Sequence, residues 1–389
     1  MITRRDFVRY GAMSTITFAG FPALSLASAV AARARFVLIQ LRGGMDSLAA
    51  VPPVGDKWLE NARPNTWVKN ALALDSHFAL HPALGTLHAL WKQNQMAVVH
   101  AAGLPYTGRS HFDGQNLMEG GGKAPYAMDT GWLGRAMNVA GLKGLALALP
   151  IPLVLRGIEG NDNYFPSITR VQPTKATYRA LIESWTGDRA VQVALEEVID
   201  RPAQNFVPQM GHRDREQVRN NQNLAGEAAE QLRKPDGPRV ALFDFAGFDT
   251  HAAQGSEQGL HADKLRELDD IVRVLREGLG EVWNDTLIVT ATEFGRNVAE
   301  NGSAGTDHGW GSCQFIAGGL VKKAQVLADW PGLKSSQLFE GRDLRGTTDM
   351  RTVFAAAVGR AFALDHATVK AKVFADDSLA DLTTALFRT

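Results

Sequence analysis

Short apolar runs alternate with amphipathic segments along most of the chain. Six runs have the length and composition of buried strands, over residues 35–41, 96–102, 145–155, 240–245, 286–292 and 314–317, and prolines interrupt the third of them. Apolar residues at helical spacing predict helices over residues 81–93 and 260–279, and an N-cap at residues 347–349 predicts a last helix over residues 350–362. Because such strands and helices alternate, the pattern predicts an α/β protein with a mostly parallel sheet that helices cover on both faces.

Residues 156–238 differ from the rest of the chain. They are polar, prone to form helices and short of strand candidates, and Gln, Asn and Arg are concentrated between residues 205 and 233. This composition predicts a helical insertion or cap on the core instead of a separate enzyme domain.

The composition is that of an ordinary globular protein. Of 389 residues, 45% are hydrophobic and 21% are charged, which excludes a disordered chain and a polytopic membrane protein. Lys and Arg together number 41, as do Asp and Glu, and no basic stripe stands out, so we expect no nucleic-acid partner. The single cysteine, Cys313, excludes an intramolecular disulfide and a paired-cysteine metal site.

The first 29 residues have the features of an export signal. Arg4 and Arg5 stand shortly before Phe7, and an uncharged, weakly apolar stretch follows over residues 10–32, with small residues at 27–29. This pattern predicts a twin-arginine signal that is removed, and a retained membrane anchor is the alternative. We therefore expect a periplasmic or secreted protein with no transmembrane segment after signal removal, in which a metal ion can be loaded before export.

Polar, chemically active residues follow the predicted strands. The carboxyl ends of parallel strands meet at one edge of a sheet, so we expect these side chains to lie close together. The candidates are Asp46, Arg109, Ser110, His111, Asp249, His251, Glu293, Asp307 and His308.

Carboxylates and imidazoles dominate this set, which points to a divalent metal ion. Asp46 follows two glycines and is either a turn aspartate that caps a helix or a metal ligand. Asp249 and His251 form either an Asx turn with a surface histidine or a pair of metal ligands. A second Asp–His pair at 307–308, together with Asp46 and Glu293, favours metal binding.

Ser110 lies where a strand passes into a helix that begins near His111. Unpaired N–H groups at a helix start stabilise a phosphate or sulfate and favour a serine nucleophile. Arg109 stands beside the serine, where its guanidinium could contact the same anion. The alternative is that Ser110 is an ordinary N-cap.

These residues form motifs that resemble a known family. The motifs are Leu41-Arg42-Gly43-Gly44-Met45-Asp46, Arg109-Ser110-His111-Phe112, Phe248-Asp249-Thr250-His251, Thr292-Glu293-Phe294-Gly295-Arg296 and Thr306-Asp307-His308-Gly309. They resemble domain-of-unknown-function family 1501, a twin-arginine-exported bacterial family grouped with the alkaline phosphatase and sulfatase superfamily.

The resemblance implies an alkaline phosphatase-like α/β/α sandwich over residues 33–389. It also implies a zinc, calcium or magnesium site with Asp46, Asp249, His251, Glu293, Asp307 and His308 as ligands and with Ser110 as nucleophile. One departure is that Glu293 and Phe294 stand where the superfamily has an Asp–His pair, so that Asp307 supplies the missing ligand, or one metal binds, or none.

Two functions are consistent with these features. The first is an exported metal-dependent hydrolase that acts on phosphate or sulfate esters of small molecules or glycans, with Ser110, Arg109 and His111 as catalytic residues. The second is a non-catalytic exported binding or assembly protein that has the same fold and a degenerate metal site. The sequence identifies no protein partner.

Overall fold

A computed structural model describes residues 33–148, 151–157, 161–163, 179–180, 182 and 213–388. The chain divides into two compact units, one of residues 1–164 and 220–389 and one of residues 165–219. The second unit lies almost entirely outside the described residues, as do the export signal and much of the predicted insertion, so both remain predictions. The main sheet and all the candidate residues belong to the first unit.

In the part of the chain that the structure describes, a nine-stranded sheet forms the centre of the first unit. Its strands are β1 (Arg35–Arg42), β4 (Met96–Gly103), β5 (Gly144–Leu147), β6 (Asp162–Asn163), β7 (Val240–Ala246), β8 (Thr286–Ala291), β9 (Ser312–Ala317), β10 (Val326–Leu327) and β11 (Thr348–Asp349). They lie in the order β10-β4-β9-β8-β1-β7-β5-β6, and β11 also pairs with β4. A separate hairpin contains β2 (Leu72–Ala73) and β3 (Ala79–Leu80).

The α-helices of the described residues are mostly short. They are α1 (Ser47–Ala50), α2 (Trp58–Ala62), α3 (Gly85–Lys92), α4 (His111–Gly120), α5 (Trp132–Ala140), α6 (Arg213–Arg233), α7 (Leu260–Leu279), α8 (Met350–Phe362), α9 (His366–Thr368) and α10 (Thr383–Leu386). Shorter 3₁₀ turns lie at Leu153–Leu155, Gly280–Asp285 and Ser335–Gln337, and a π-helical turn at Val369–Phe374. None of the described helices combines the length and the apolar character needed to cross a membrane.

The side chains of β1 show how the three layers form. Phe36 and Leu38 point to one face of the sheet and pack in a core with residues of α4, α5 and α8. Val37 and Ile39 point to the opposite face and pack with residues of α3, α6 and α7. Because successive strand residues face opposite sides, a strand that is buried on both faces must be apolar throughout. The predicted α/β/α sandwich is confirmed.

The sheet differs from the prediction in the direction of one strand. β9 runs antiparallel to both of its neighbours, β4 and β8, whereas the remaining pairs of the main sheet are parallel. A parallel return to the sheet requires a crossover, usually a helix, and residues 292–311 between β8 and β9 contain no helix. The chain therefore turns back at the edge where β8 ends.

The observed ends of helices and strands agree well with the predicted ones where a cap or an apolar run marks the end. Helix α7 has the predicted bounds, as does α8, which Asp349 caps by accepting a hydrogen bond from the backbone N of Arg351. Helix α3 begins four residues later than expected, because the ring of His81 accepts from the backbone N of Ala83 and closes a turn first. The third strand ends at residue 147, since the prolines that follow cannot donate to a ladder.

Candidate metal centre

The candidate side chains lie at the edge of the main sheet where the parallel strands have their carboxyl ends. At this edge β1 ends at Arg42, β4 at Gly103, β7 at Ala246 and β8 at Ala291. β9 starts there because it runs antiparallel to β4 and β8. Residues 292–311, which join β8 to β9, therefore leave and re-enter the sheet at the same edge and bring two groups of candidate residues to it.

Two glycines allow the segments at this edge to approach each other. Gly43 has a φ of +113°, and a Cβ at this position would lie 2.5 Å from the backbone N of Asp249. A Cβ at Gly305 would lie 2.3 Å from the carbonyl carbon of His251. A larger residue at either position would push the backbones apart. The glycines thus hold the loop after β7 against β1 and against residues 292–311.

Side chains from three segments converge at this edge. They are His111 from the first turn of α4, Asp249 from the loop after β7 and His308 from the segment before β9. One nitrogen or oxygen of each lies within 4.8 Å of the others. His111 Nε2 is 3.3 Å from Asp249 Oδ2, and His308 Nε2 is 3.0 Å from Asp249 Oδ1.

His251 extends this group. Its Nε2 lies 3.0 Å from Oδ1 of Asp249 and 3.0 Å from Nε2 of His308. We call His111, Asp249, His251 and His308 the edge cluster. Three of them were predicted as metal ligands, and His111 was predicted as a catalytic residue.

Each histidine of the edge cluster has a hydrogen-bond acceptor at its Nδ1. The acceptors are Glu293 Oε1 for His111 at 2.8 Å, Asp307 Oδ1 for His251 at 3.1 Å and the backbone carbonyl of Arg109 for His308 at 2.9 Å. An ionised carboxylate and a carbonyl can only accept, so in a neutral ring Nδ1 carries the proton. The three Nε2 atoms then direct their lone pairs toward the Asp249 carboxylate, and those of His251 and His308 also face each other.

Such a site requires a cation, either protons on the rings or a metal ion. Nε2 of His111 is buried and has no hydrogen-bond partner among the described residues. The distances from the Asp249 carboxylate to Nε2 of His308 and of His111, 3.0 and 3.3 Å, are close to the roughly 3.3 Å that separates ligand atoms around tetrahedral zinc. Metal-bound histidines are also held by a carboxylate or carbonyl at the other ring nitrogen.

The residues present therefore fit a divalent metal ion. His111, Asp249 and His308, with the His251 imidazole beside them, form a nitrogen-rich set, which zinc accepts readily. Calcium and magnesium bind mainly through oxygen, so the edge cluster suits them less well.

The surroundings favour the ionised form of Asp249 and the neutral form of His308. Burial alone would raise the pKa of Asp249, but the charge of Arg296 and the hydrogen bond that it donates lower this pKa below its ordinary value. Burial lowers the pKa of His308. In contrast, the hydrogen bond to Glu293 raises the pKa of His111 above its ordinary value.

Arg296 fixes the position of Asp249. Its guanidinium is fully buried and donates to Oδ1 of Asp249 at 2.6 Å. It also donates to the backbone carbonyls of Gly43, Gly44, Phe248 and Thr306. Arg296 belongs to one of the motifs found in the sequence, but the sequence pattern does not predict that it positions Asp249. The only signal is its place just after a strand end that is rich in carboxylates.

Glu293, a predicted metal ligand, stands behind the edge cluster. Its buried carboxylate accepts from the backbone N of Gly43 at 2.9 Å and from Nε2 of Gln115 at 3.0 Å, in addition to His111. Burial would raise the pKa of Glu293, but the hydrogen bonds from His111 and Gln115 hold it below its ordinary value. The geometry gives this carboxylate the role of orienting a ring.

Asp307, another predicted ligand, has the equivalent position behind His251. Its Oδ1 accepts from Nδ2 of Asn301 at 3.0 Å and from the imidazole. These two hydrogen bonds lower the pKa of Asp307. Like Glu293, it contacts the far nitrogen of a histidine and not the point where the Nε2 atoms meet.

Asp46 is bound by a different set of partners. Its carboxylate is fully buried and accepts from both Nη atoms of Arg63, at 2.5 and 3.0 Å, from the backbone N of Leu48 and from Nε2 of Gln254. Burial would raise the pKa of Asp46, but Arg63 lowers it to about 2. Four donors fill its acceptor positions, and it caps α1. The structure thus matches the helix-cap alternative for Asp46 and does not bring it into the edge cluster.

Arg109 contacts the edge cluster through its backbone and not through its guanidinium. The guanidinium donates to Oδ2 of Asp343 from Nε at 2.9 Å and from Nη2 at 2.5 Å, and to Glu340 at 2.6 Å. With two carboxylates as partners, it is not free to bind an anion. The predicted contact between the Arg109 guanidinium and an anion is therefore not available. The carbonyl of Arg109 instead accepts a hydrogen bond from His308 and positions its ring.

Ser110 occupies the N-cap position of α4, as predicted. Its side chain makes no capping hydrogen bond to the helix, however, and the residue is only half-buried. An ordinary N-cap serine would accept from the N–H of the second or third helical residue. The Ser110 hydroxyl therefore does not stabilise the start of the helix. Ser110 directly precedes His111, a member of the edge cluster.

Several solved structures are similar to this chain at low levels. A sulfatase from Pseudoalteromonas sp. (PsFucS1) is 13% identical, with 95% of this chain and 78% of that chain covered and a TM-score of 0.42. A phosphonate monoester hydrolase of Agrobacterium radiobacter is 12% identical, with coverages of 72% and 67% and a TM-score of 0.37. The C-terminal periplasmic domain of EcEptC from Escherichia coli, in complex with zinc, is 11% identical, with coverages of 73% and 72% and a TM-score of 0.36.

Structural similarity at this level does not indicate an activity for this chain. No curated protein matches the chain. The match that decides its classification covers residues 33–374, which include every residue of the edge cluster and the residues behind it. The chain belongs to the family described as protein of unknown function (DUF1501).

Proposed function

We propose that the protein binds a zinc ion in the edge cluster and hydrolyses phosphate or sulfate esters there, after export to the periplasm or beyond the cell. The observation that carries the proposal is the set of three Nδ1 contacts, which turn three Nε2 lone pairs toward the Asp249 carboxylate. Zinc supplies a Lewis acid when bound, which balances this charge and lowers the pKa of a nearby hydroxyl.

Ser110 provides the nucleophilic oxygen in this proposal. Its hydroxyl is free of the capping hydrogen bond that a structural serine would make, and the next residue is a member of the edge cluster. The N–H groups in the first turn of α4 have no acceptor within the helix. They are donors for the anionic oxygens of a phosphate or sulfate ester.

Phe112 supports an ester whose alcohol contains a ring. It follows His111 directly, and 82% of its surface is exposed, although burial of a phenylalanine side chain is favourable by about 1.5–3 kcal/mol. An exposed aromatic face next to a reaction site is suited to stack on an aryl group or on the apolar face of a sugar. The substrate class that we propose is therefore a phosphate or sulfate ester of a glycan or of a small cyclic alcohol.

Two observations favour the second candidate function, a non-catalytic binding or assembly protein. The guanidinium of Arg109 is neutralised by Asp343 and Glu340, so it supplies no charge to an anionic substrate. Asp46 is held by Arg63, so a second metal ion would lack this carboxylate. In this alternative the zinc ion is retained for structure or assembly, and the site turns over no ester.

The test combines metal analysis with an ester screen. The purified full chain is loaded with zinc, freed of excess metal and analysed for bound zinc, and then assayed with aryl and sugar phosphates and sulfates. Ser110→Ala is compared with the matched control Ser336→Ala, which removes an exposed hydroxyl from a 3₁₀ turn. We expect one zinc per chain in both variants and loss of turnover in Ser110→Ala alone.

Two other results would contradict the proposed hydrolase. Zinc bound without turnover of any ester by the native chain would favour the binding or assembly function. Absence of zinc from the native chain would overturn the metal site itself.

A further inference from the structure

His308 is held at two points by groups outside the edge cluster. Its Nδ1 donates to the backbone carbonyl of Arg109 at 2.9 Å, and its own carbonyl accepts from Nη2 of Arg342 at 3.0 Å. One contact sets the rotation of the ring, and the other sets the position of the backbone. The two contacts thus fix where Nε2 of His308 points.

Both arginines bind the same carboxylate. Arg109 donates to Oδ2 of Asp343 from Nε and Nη2, and Arg342 donates to Oδ1 from its Nε at 3.1 Å. The side chain of Asp343 has no exposed surface, so these charge-assisted hydrogen bonds are only weakly screened by water. Glu340 also pairs with Arg109, but its side chain is 54% exposed, so its contribution is small.

The backbone of Arg109 has a conformation that requires support. Its φ is +58°, in the left-handed region that residues other than glycine seldom adopt. This conformation directs the Arg109 carbonyl at the ring of His308, and Arg109 itself is anchored through its guanidinium. Strain of this kind persists only where the surroundings hold it in place.

We propose that Asp343 is a positioning residue for the metal centre. It anchors Arg109 in the left-handed conformation, so that the Arg109 carbonyl accepts from Nδ1 of His308 and Nε2 is left as the metal-binding nitrogen. Through Arg342 it also holds the backbone of His308. Asp343 touches neither the metal site nor substrate, and this inference rests on the proposed metal centre.

The experiment compares the full chain with Asp343→Asn and with the matched control Glu340→Gln, which removes the exposed carboxylate from the same arginine. The zinc affinity of each is measured by competition with a chelator of known affinity. Loss of a residue that orients a metal-bound histidine commonly weakens metal binding about 10–100-fold. We expect a loss in this range for Asp343→Asn and less than about a threefold change for Glu340→Gln.

A second variant covers the case in which Asp343→Asn fails to fold. Arg109→Gly tolerates the positive φ but lacks the guanidinium that anchors it. We expect it to weaken zinc binding to the same extent, and we expect the double variant with Asp343→Asn to be no weaker than the worse single variant, because both changes break one linkage. Unchanged affinity in the two single variants, or equal losses in Asp343→Asn and Glu340→Gln, would overturn the proposal.

A measurement on metal-free protein separates this inference from the metal site. The ¹⁵N chemical shifts of the imidazoles report which ring nitrogen carries the proton. We expect the Nδ1–H form of His308 in the native chain and in Glu340→Gln, and a mixture of tautomers in Asp343→Asn and Arg109→Gly. If the native chain binds no zinc but shows this pattern, the metal centre fails and the positioning role of Asp343 stands. The same tautomer in all variants would refute the positioning role.

Discussion

Arg296 donates a hydrogen bond from Nη2 to Oδ1 of Asp249 at 2.6 Å, from a guanidinium with no exposed surface. The same oxygen lies 3.0 Å from Nε2 of His251 and 3.0 Å from Nε2 of His308. A buried arginine therefore holds the one carboxylate at which all the rings of the edge cluster meet. The other oxygen of Asp249 faces His111.

Replacement of Arg296 by Met is expected to destabilise the fold and to disorder the edge cluster. The change leaves four backbone carbonyls without their donor, and each buried group that loses its partner costs about 1–3 kcal/mol. We expect the free energy of unfolding in urea to fall by about 3 kcal/mol or more. Arg266→Met, which breaks an exposed pair with Asp263, should change it by less than about 1 kcal/mol.

The buried ion pair between Asp46 and Arg63 makes the free energy of unfolding depend on pH. The pKa of Asp46 is lowered to about 2 in the folded chain, against about 3.9 in an unfolded one. The pair therefore contributes roughly 2 kcal/mol above pH 4, and this contribution disappears as the pH falls from 4 through 2. Between these pH values the native chain should lose roughly 2 kcal/mol more stability than Asp46→Asn does. Parallel pH profiles of the two proteins would contradict this reading of the pair.

Zinc content distinguishes the edge cluster from the wider ligand set that the sequence predicted. Asp249→Asn and His308→Gln each remove a ligand atom of the cluster, and we expect both to lose bound zinc. Asp46→Asn should keep one zinc per chain, because the Asp46 carboxylate is filled by Arg63, Gln254 and a backbone N–H. Elemental analysis after gel filtration measures all three. Loss of zinc from Asp46→Asn would restore Asp46 as a ligand.

Ser110→Ala tests the nucleophile by separating activity from stability. A capping serine contributes about 1 kcal/mol, but the Ser110 hydroxyl makes no capping hydrogen bond. We expect the variant to lose ester hydrolysis with a change of less than about 0.5 kcal/mol in the free energy of unfolding. Retained turnover together with a loss near 1 kcal/mol would identify Ser110 as a cap after all.

The export prediction rests on the sequence alone. Replacement of Arg4 and Arg5 together by Lys should keep the protein in the cytoplasm, because the paired arginines ahead of a weakly apolar stretch are the feature that twin-arginine transport reads. Cell fractionation and immunoblotting measure the outcome. An undiminished periplasmic yield from the double Lys variant would indicate another route.

The sequence alone is enough to predict the layers of the fold and the edge of the sheet that carries the candidate site. Strands such as β1 and β8 are apolar throughout because both of their faces are buried, and that requirement is visible residue by residue. The same holds for α7, whose apolar residues recur at helical spacing. Since parallel strands end at one edge, the residues that come after them can be grouped from their positions in the chain.

The roles of those residues depend on partners far away in the chain. Glu293 is 182 residues from His111, and the Arg109 carbonyl is 199 residues from His308, so no local pattern distinguishes a metal ligand from the group that orients it. The direction of β9 likewise results from the absence of a helix between β8 and β9. Spacing along the chain determines which residues reach the edge, whereas the direction in which a ring or carboxylate points depends on donors and acceptors that only the folded chain brings together.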